Sequence, residues 1–232
     1  MKFKVFADPN AVAQRAATII AEAARAAVAA RGRFIIAVSG GETPLLMFDA
    51  LDNQEMPWEQ TYMIQVDERV APAGHADRNL THLRKRLLTR VLLRPEQLLA
   101  MPVEASDLET AARQYAQTLI EIAGSPPVLD LIHLGLGPDG HTASLVPGDA
   151  VLDVDDADVA LTGVYKGRRR MTLTYPIIDR SRCILWVVTG KEKAEMLILL
   201  QGADPSIPAG RVRQDQGLVL ADRAAATLLE KK

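Results

Sequence analysis

The chain has 232 residues, 48% of them hydrophobic, so it is long enough to bury a substantial core. Its 27 basic and 29 acidic residues leave a formal net charge of −2, which argues against gripping nucleic acid through the phosphate backbone. Cys183 is the only cysteine, which excludes an intramolecular disulfide and a multi-cysteine metal site.

The amino-terminal region shows neither the basic start and apolar run of a secretion signal nor an uninterrupted apolar segment. Residues 11–30 are rich in alanine but carry four polar or charged side chains, Gln14, Arg15, Glu22 and Arg25. A membrane span would need about 20 predominantly apolar residues. We therefore expect a cytoplasmic protein that contacts neither membrane nor nucleic acid. We also expect it to be a monomer or a weak homo-oligomer.

Short apolar runs alternate along the chain with segments of helical periodicity. The predicted strands are Phe34–Val38, Tyr62–Val66, Leu129–Leu134, Val159–Val164, Met171–Tyr175 and Cys183–Val188. The predicted helices are residues 9–30, 44–51, 79–91, 107–123, 191–201 and 222–230. Asp8 before Pro9 is a helix-start signal, and Asp107 supplies a cap for the fourth helix.

This alternation predicts an α/β fold with a mostly parallel sheet, covered by helices on both faces in the Rossmann-like manner. No Gly/Ser linker, low-complexity tract or internal repeat divides the sequence, so we expect residues 1–232 to form a single domain. Ligands of open α/β sheets bind beyond the carboxyl ends of the strands. Three predicted strands run directly into polar, glycine-marked loops, and this convergence predicts a binding site.

The first loop, residues 39–44, reads SGGETP and joins a predicted strand to a predicted helix. Gly40 and Gly41 allow a tight turn and a close approach of the backbone to a ligand. The hydroxyls of Ser39 and Thr43, with the helix N-terminus, favour an anion such as phosphate. A P-loop would need a Lys-Ser/Thr pair here, which is absent. An ordinary strand-to-helix turn capped by Thr43 explains the same residues.

The second loop opens with Asp67-Glu68-Arg69, directly after the predicted strand that ends at Val66. Three consecutive charges are costly to bury unless they are paired. A solvated loop is the ordinary explanation of such a run, whereas its position beyond an apolar strand favours a functional role.

The third loop, residues 135–144, reads GLGPDGHTAS and contains the G-x-G-x-x-G spacing of dinucleotide folds. Asp139 would bring a carboxylate to the pyrophosphate, and Pro147-Gly148 stops any following helix, so a nicotinamide cofactor is disfavoured. His141 is the candidate general base, because histidine titrates near neutrality. Dense metal-ligand spacing and a G-x-S-x-G elbow are both absent, so we predict no metal, no cofactor and no serine-esterase mechanism.

The three loops, in this order, resemble the glucosamine-6-phosphate isomerase/6-phosphogluconolactonase family. The resemblance extends from about Val5 to the carboxyl-terminal helix and rests on residues 39–44, 67–69 with Asn79, and 135–148. It implies a fold of the sugar-phosphate isomerase type and a phosphorylated sugar as substrate.

Two details of the resemblance favour the lactonase branch of the family. The deaminase branch usually has tyrosine where this chain has Arg69, and it carries a glutamate in the run that here reads Thr142–Pro147 and contains none. Ring opening and amine release need that additional acid/base group, whereas lactone hydrolysis does not. The resemblance therefore implies hydrolysis of a small sugar-phosphate lactone, 6-phospho-D-glucono-1,5-lactone of the pentose phosphate pathway.

For that reaction we expect His141 as the general base, Asp67 to orient the imidazole or the water, and Arg69 to stabilise negative charge or hold substrate. The expected substrate- and phosphate-binding residues from the first and third loops are Ser39, Gly40, Gly41, Thr43, Asp139 and Gly140. The resemblance adds Arg170 and Lys193 as phosphate ligands; outside the family context either is an ordinary surface cation. Arg211 is a weaker candidate.

Three other functions stay open at this point. They are an isomerising deaminase of glucosamine 6-phosphate, a catalytically silent sugar-phosphate sensor and a nicotinamide dehydrogenase. A sensor of this kind normally carries a DNA-binding segment, and from the sequence we expect neither a spare amino-terminal domain nor a basic helix. Ammonia release would identify the deaminase, and cofactor fluorescence the dehydrogenase.

Overall fold

The computed structural model of the chain describes residues 1–41, 43–91 and 93–229, without the side chain of Thr43. The strands in this part are β1 (Lys2–Phe6), β2 (Phe34–Val38), β3 (Thr61–Gln65), β4 (Asp67–Arg69), β5 (Leu98–Leu99), β6 (Leu131–Leu134), β7 (Val159–Leu161), β8 (Arg170–Leu173), β9 (Ile184–Val188) and β10 (Gly217–Asp222). Seven of these described strands form a parallel sheet in the order β1-β10-β9-β6-β2-β3-β5. The expected parallel α/β architecture is confirmed.

The longer helices flank this sheet. They are α1 (Pro9–Arg31), α2 (Thr43–Leu51), α3 (Asn79–Leu83), α4 (Leu108–Ala123), α5 (Tyr175–Arg180) and α6 (Ala194–Gln201). Both predicted caps form: Asp8 Oδ1 accepts the Ala11 N–H at 2.9 Å, and Asp107 Oδ1 accepts the Thr110 N–H at 3.0 Å. Within the described ranges, no helix combines the length and the apolar character needed to cross a bilayer.

The core lies on both faces of the parallel sheet. Along β2, Phe34, Ile36 and Val38 pack with α1 and α2, while Ile35 and Ala37 pack on the opposite face with α4. Every residue of β2 is therefore buried, because successive strand side chains point to opposite faces and both faces are covered. This explains why the strand reads as one uninterrupted apolar run.

A second, three-stranded antiparallel sheet in the order β4-β8-β7 was not predicted. The charged residues Asp67–Arg69, expected in a loop, form its strand β4. Each of them pairs with a residue of β8 that is more than 100 positions away in the sequence. Arg69, for example, pairs with Arg170.

Local sequence carries no sign of such distant pairing, which is why β4 was missed. The edge strands β1 and β5, the apolar strand β10 and the six-residue helix α5 were missed as well.

The prediction of a helix over residues 222–230 is wrong within the described part. Gly217–Asp222 forms β10 between β1 and β9, and only a short 3-10 turn, Ala225–Leu228, follows it. Asp222 Oδ1 accepts the Ala225 N–H at 2.8 Å, and this bond fixes a tight turn directly after the strand. Residues 230–232 lie outside the described residues.

Candidate active site

All three predicted loops line one cleft of about 320 Å³, near the lower end of the volumes usual for small-molecule sites. The residues directly after β2, β6 and β9 contribute to its wall, so the cleft opens where the parallel strands end. Its polar and glycine lining includes Ser39, Gly40, Gly41, Asp67, Arg69, Gly135, Gly137, His141, Lys166, Arg170, Thr189, Glu192 and Lys193.

His141 and Asp139 form a close pair on the third loop. Nδ1 of the imidazole lies 2.5 Å from Asp139 Oδ1, which leaves Nε2 as the ring nitrogen available for proton transfer. A Cβ on Gly137 would overlap both the imidazole and the Asp139 carboxylate, so glycine is required there for the pair to form. A Cβ on Gly140 would overlap Ile207, and its φ of +80° also favours glycine. These glycines shape the loop that carries the His141–Asp139 pair.

Tyr165 completes this arrangement and was not predicted. Its hydroxyl donates to Asp139 Oδ2 at 2.7 Å, and its ring contacts His141 edge to face, with centroids 5.6 Å apart. Burial acts to raise the pKa of Asp139, but hydrogen bonds from Tyr165 and His141 outweigh it and lower that pKa to about 2. Burial and the same bond raise the pKa of Tyr165 to about 12, so the phenol keeps its proton at neutral pH.

Arg69 and Arg170 lie directly opposite each other across β4 and β8, and both line the cleft. Like charges in that position repel, and burial together with the charge of Arg69 lowers the pKa of Arg170. The Arg170 side chain is 7% exposed, and its buried Nε has no hydrogen-bond partner among the described residues. An anion in the cleft would relieve both the repulsion and the missing bond.

Asp67 does not contact the imidazole, contrary to one of its two expected roles. It is buried, its Oδ2 accepts the Ser144 hydroxyl at 2.6 Å, and it lies 3.9 Å from Arg170 Nη1. Asn79 donates to Asp67 Oδ1 at 3.1 Å. The carboxylate that holds the imidazole is Asp139, a predicted substrate-binding residue.

The first loop is held to the sheet through Ser39. Its hydroxyl donates to the His133 carbonyl at 2.9 Å, and its N–H donates to His133 Nδ1 at 3.3 Å. A Cβ on Gly40 would overlap Asn79, so this glycine lets the loop pack against α3. Ser39, Gly40 and Gly41 all reach the cleft. The hydroxyl of Thr43 lies outside the described side chains.

The cations of the cleft come from four separate segments. Lys193 is 18% exposed, and burial lowers its pKa. Lys166, at the tip of the β7–β8 hairpin, also lines the cleft and was missed by the sequence analysis. Arg211 is not among the lining residues, and its Nε donates to the Pro205 carbonyl at 3.1 Å.

The missed residues carried little sequence signal. Tyr165, Lys166 and Glu192 sit beside other charged or small residues, in segments typical of solvated turns. Lys166 and Glu192 line the cleft, from the β7–β8 hairpin and from the turn before α6. Tyr165, on the same hairpin as Lys166, contacts the His141–Asp139 pair. Over the residues that the structure covers, no cluster of three or more His, Cys, Asp or Glu side chains could hold a metal ion.

Fold and site together define a class: an α/β protein with a histidine–carboxylate pair beside a cleft in which cations outnumber carboxylates, at the carboxyl edge of a parallel sheet. The sequence profile of the glucosamine-6-phosphate isomerases/6-phosphogluconolactonase family matches residues 7–221. The chain belongs to this family.

Individual relatives agree with the family profile. A 6-phosphogluconolactonase of Synechocystis is 36% identical over 92% of this chain and 91% of its own length, and that of Mycobacterium tuberculosis is 37% identical over 97% of each. A crystal structure of a 6-phosphogluconolactonase from Shewanella baltica is similar with a TM-score of 0.83 at 29% identity, covering 96% of this chain and 97% of the other.

Proposed function

We propose that this chain hydrolyses 6-phospho-D-glucono-1,5-lactone to 6-phospho-D-gluconate, a step of the oxidative pentose phosphate pathway, and that residues 1–232 act as one catalytic domain. Membership of the family and relatives that bear the lactonase name support the reaction. The observation that carries the chemistry is a paired imidazole, His141, in the same cleft as two opposed arginines, Arg69 and Arg170.

In the proposed mechanism His141 Nε2 takes a proton from a water molecule, whose oxygen attacks the lactone carbonyl carbon. Asp139 holds the ring through Nδ1 and stabilises the imidazolium that forms. Arg69 neutralises the oxyanion of the tetrahedral intermediate. When the intermediate collapses, the ring oxygen leaves the carbonyl carbon and takes the proton from the imidazolium, which opens the ring and restores the base.

The phosphate of the substrate would be bound by cations and backbone amides of the same cleft. Arg170 and Lys193 supply charge. Gly40 and Gly41 supply N–H groups near the start of α2, whereas the N–H of Ser39 is already donated to His133. Asp67 has a supporting role, because its bonds fix Ser144 beside Arg170. The hydroxyl of Thr43 remains a predicted phosphate ligand.

The direct test is acid release from freshly generated lactone, measured in a pH-stat above the spontaneous rate. His141→Ala should keep the fold but lower kcat by about 10²- to 10⁴-fold, the usual contribution of a general base. His82→Ala, at an exposed helix position outside the cleft lining, is the matched control and should hydrolyse lactone normally. Wild-type turnover by His141→Ala would remove His141 from the mechanism.

Calorimetry separates binding from catalysis. His141→Ala should bind 6-phosphogluconate as the wild type does, whereas Lys193→Ala should weaken that binding by about tenfold or more while leaving gluconate binding unchanged. Equal affinity of the wild type for gluconate and for its phosphate would contradict the proposed phosphate site. Ammonia release from glucosamine 6-phosphate, with no lactone turnover, would establish the deaminase instead.

A further inference from the structure

Tyr165 contacts both members of the His141–Asp139 pair. Its hydroxyl donates to Asp139 Oδ2 at 2.7 Å while the imidazole occupies Oδ1 of the same carboxylate, and the two rings meet edge to face. The carboxylate is therefore held from two sides, by the ring that it orients and by a neutral donor on another segment of the chain.

The hairpin that carries Tyr165 is itself anchored. Tyr165 and Arg168 exchange backbone hydrogen bonds of 3.0 and 3.2 Å, and Arg168 Nε lies 2.6 Å from Asp77 Oδ2 on the loop before α3. On the cleft side, the guanidinium carbon of Arg170 lies 4.9 Å from the centroid of the tyrosine ring, a cation–π distance. The phenol is thus fixed in position before any substrate enters.

We propose that Tyr165 is a positioning residue of the reaction, which acts through Asp139 to fix the orientation of His141 and to limit its basicity. This inference rests on the proposed function above. The hydroxyl is bonded to the Asp139 oxygen that the imidazole does not occupy, and Tyr165 is not among the residues that line the cleft, so we assign it no proton transfer to the substrate. Its hydrogen bond stabilises the carboxylate and shares the negative charge that would otherwise face the imidazole alone.

This sharing of negative charge determines how removal of the Tyr165 hydroxyl should affect His141. Without the hydroxyl, more negative charge faces His141, which favours the protonated ring, so the ring should titrate at a higher pH. The other charged or titratable groups around this pair are Arg69 and Arg170 on the antiparallel sheet, Lys166 on the hairpin, Asp67 in β4, and Glu192 and Lys193 before α6. A change from Tyr to Phe alters the charge of none of these groups.

The experiment compares Tyr165→Phe with the wild type by NMR titration of the histidine ring signals. The signal of His141 is assigned as the one that is absent from the spectrum of His141→Ala. The His141 midpoint should rise by about 0.5 pH unit in Tyr165→Phe. Tyr115→Phe is the matched control, because it removes a tyrosine hydroxyl bond of the same length, 2.7 Å to the Leu99 carbonyl, outside the cleft. It should leave the midpoint unchanged.

Kinetics supply the second readout. On the acid side of its pH profile, Tyr165→Phe should lose about threefold in kcat/KM, converging with the wild type at alkaline pH, because a 0.5-unit shift changes the fraction of free base by about that factor. In an Asp139→Asn background the midpoint shift caused by Tyr165→Phe should vanish.

An unchanged His141 midpoint in Tyr165→Phe, or a shift that persists without the Asp139 carboxylate, would overturn the inference. A wild-type protein that hydrolyses no lactone would refute the proposed function alone, since the titration reads the link between Tyr165, Asp139 and His141 without turnover.

Discussion

Glu68 shows how a charged residue beside the site can serve the fold rather than the chemistry. It has no exposed surface, and its carboxylate accepts the N–H groups of Asn79 and Leu80, at the start of α3, at 2.8 and 2.9 Å. Arg78 Nε lies 3.1 Å away, inside the same buried region. The carboxylate therefore joins β4 to α3 and carries Asn79 into contact with the first loop.

Removing this charge should cost stability. Glu68→Gln leaves the guanidinium of Arg78 buried without its full partner, so the free energy of unfolding should fall by about 3 kcal/mol, measured by urea denaturation. Glu104→Gln is the matched control, because Glu104 also pairs with Arg78, at 2.7 Å, but is 52% exposed. It should cost less than about 1 kcal/mol. Equal losses in the two variants would contradict the structural role of Glu68.

His133 is a buried histidine whose neutral state holds the first loop. Burial lowers its pKa to about 3, and its Nδ1 accepts the Ser39 N–H, which only an unprotonated nitrogen can do. In the unfolded chain a histidine titrates near 6.5. The unfolded state therefore binds the extra proton between about pH 6.5 and pH 3, and the stability that neutral His133 contributes is lost as the pH falls through that window.

His133 should therefore contribute to the pH dependence of the unfolding free energy. His133→Asn keeps an acceptor for Ser39 but does not titrate. Between about pH 7 and pH 5 the wild type should lose about 2 kcal/mol more of unfolding free energy than His133→Asn, because one proton is worth about 1.4 kcal/mol per pH unit below pH 6.5. His82→Asn, at an exposed position, should follow the wild type. Parallel curves for wild type and His133→Asn would contradict the argument.

At the scale of elements, the glycines of the third loop leave room for the His141 and Asp139 side chains. Gly137→Ala should displace His141 and Asp139 and lower kcat/KM by at least about 10²-fold, because a misplaced base loses most of its contribution. Gly202→Ala at the end of α6 is the control, since its nearest neighbours would lie at 3.6 Å. Thermal unfolding should show both variants folded. Full activity in Gly137→Ala would show that the loop adapts.

The elements that the sequence predicted well are those whose own residues determine them. The buried strand β2 is a run of five apolar residues, and α1 begins at the capping Asp8 and ends at Gly32, whose φ is +74°. Strand β4 is the opposite case, because three charged residues become a strand only through pairing with β8. Tertiary contacts of this kind leave no local pattern.

The residues of the candidate site also fall into those that the sequence could predict and those that it could not. The loops after β2 and β6, with His141, could be located because parallel strands end at one edge of the sheet. The partner of His141 could not be identified from the sequence. Asp67 and Asp139 are both carboxylates beside the cleft, and the sequence does not indicate which one reaches the ring. Tyr165 could not be identified either, because its contact with Asp139 depends on the pairing of β7 with β8 in the antiparallel sheet.

At the scale of the whole molecule, charge is nearly balanced but not evenly distributed. The formal net charge is −2, yet the described cleft lining holds four cations against two carboxylates. The cations are Arg69, Lys166, Arg170 and Lys193, and the carboxylates are Asp67 and Glu192. A phosphorylated ligand should therefore be attracted by the local field of the cleft, although the protein as a whole would repel an anion weakly.

Ionic strength separates these two contributions. The Debye length falls from about 30 Å at 0.01 M salt to about 8 Å at 0.15 M, so the affinity for 6-phosphogluconate should fall by about threefold to tenfold across that range in calorimetry, and the affinity for gluconate, which lacks the phosphate, by less. Lys166→Gln should flatten the dependence, because it removes an exposed cation at the mouth of the cleft. Lys191→Gln, an equally exposed lysine outside the lining, should not. If both lysine variants flattened the dependence alike, the net charge of the molecule, and not the cleft, would set the attraction.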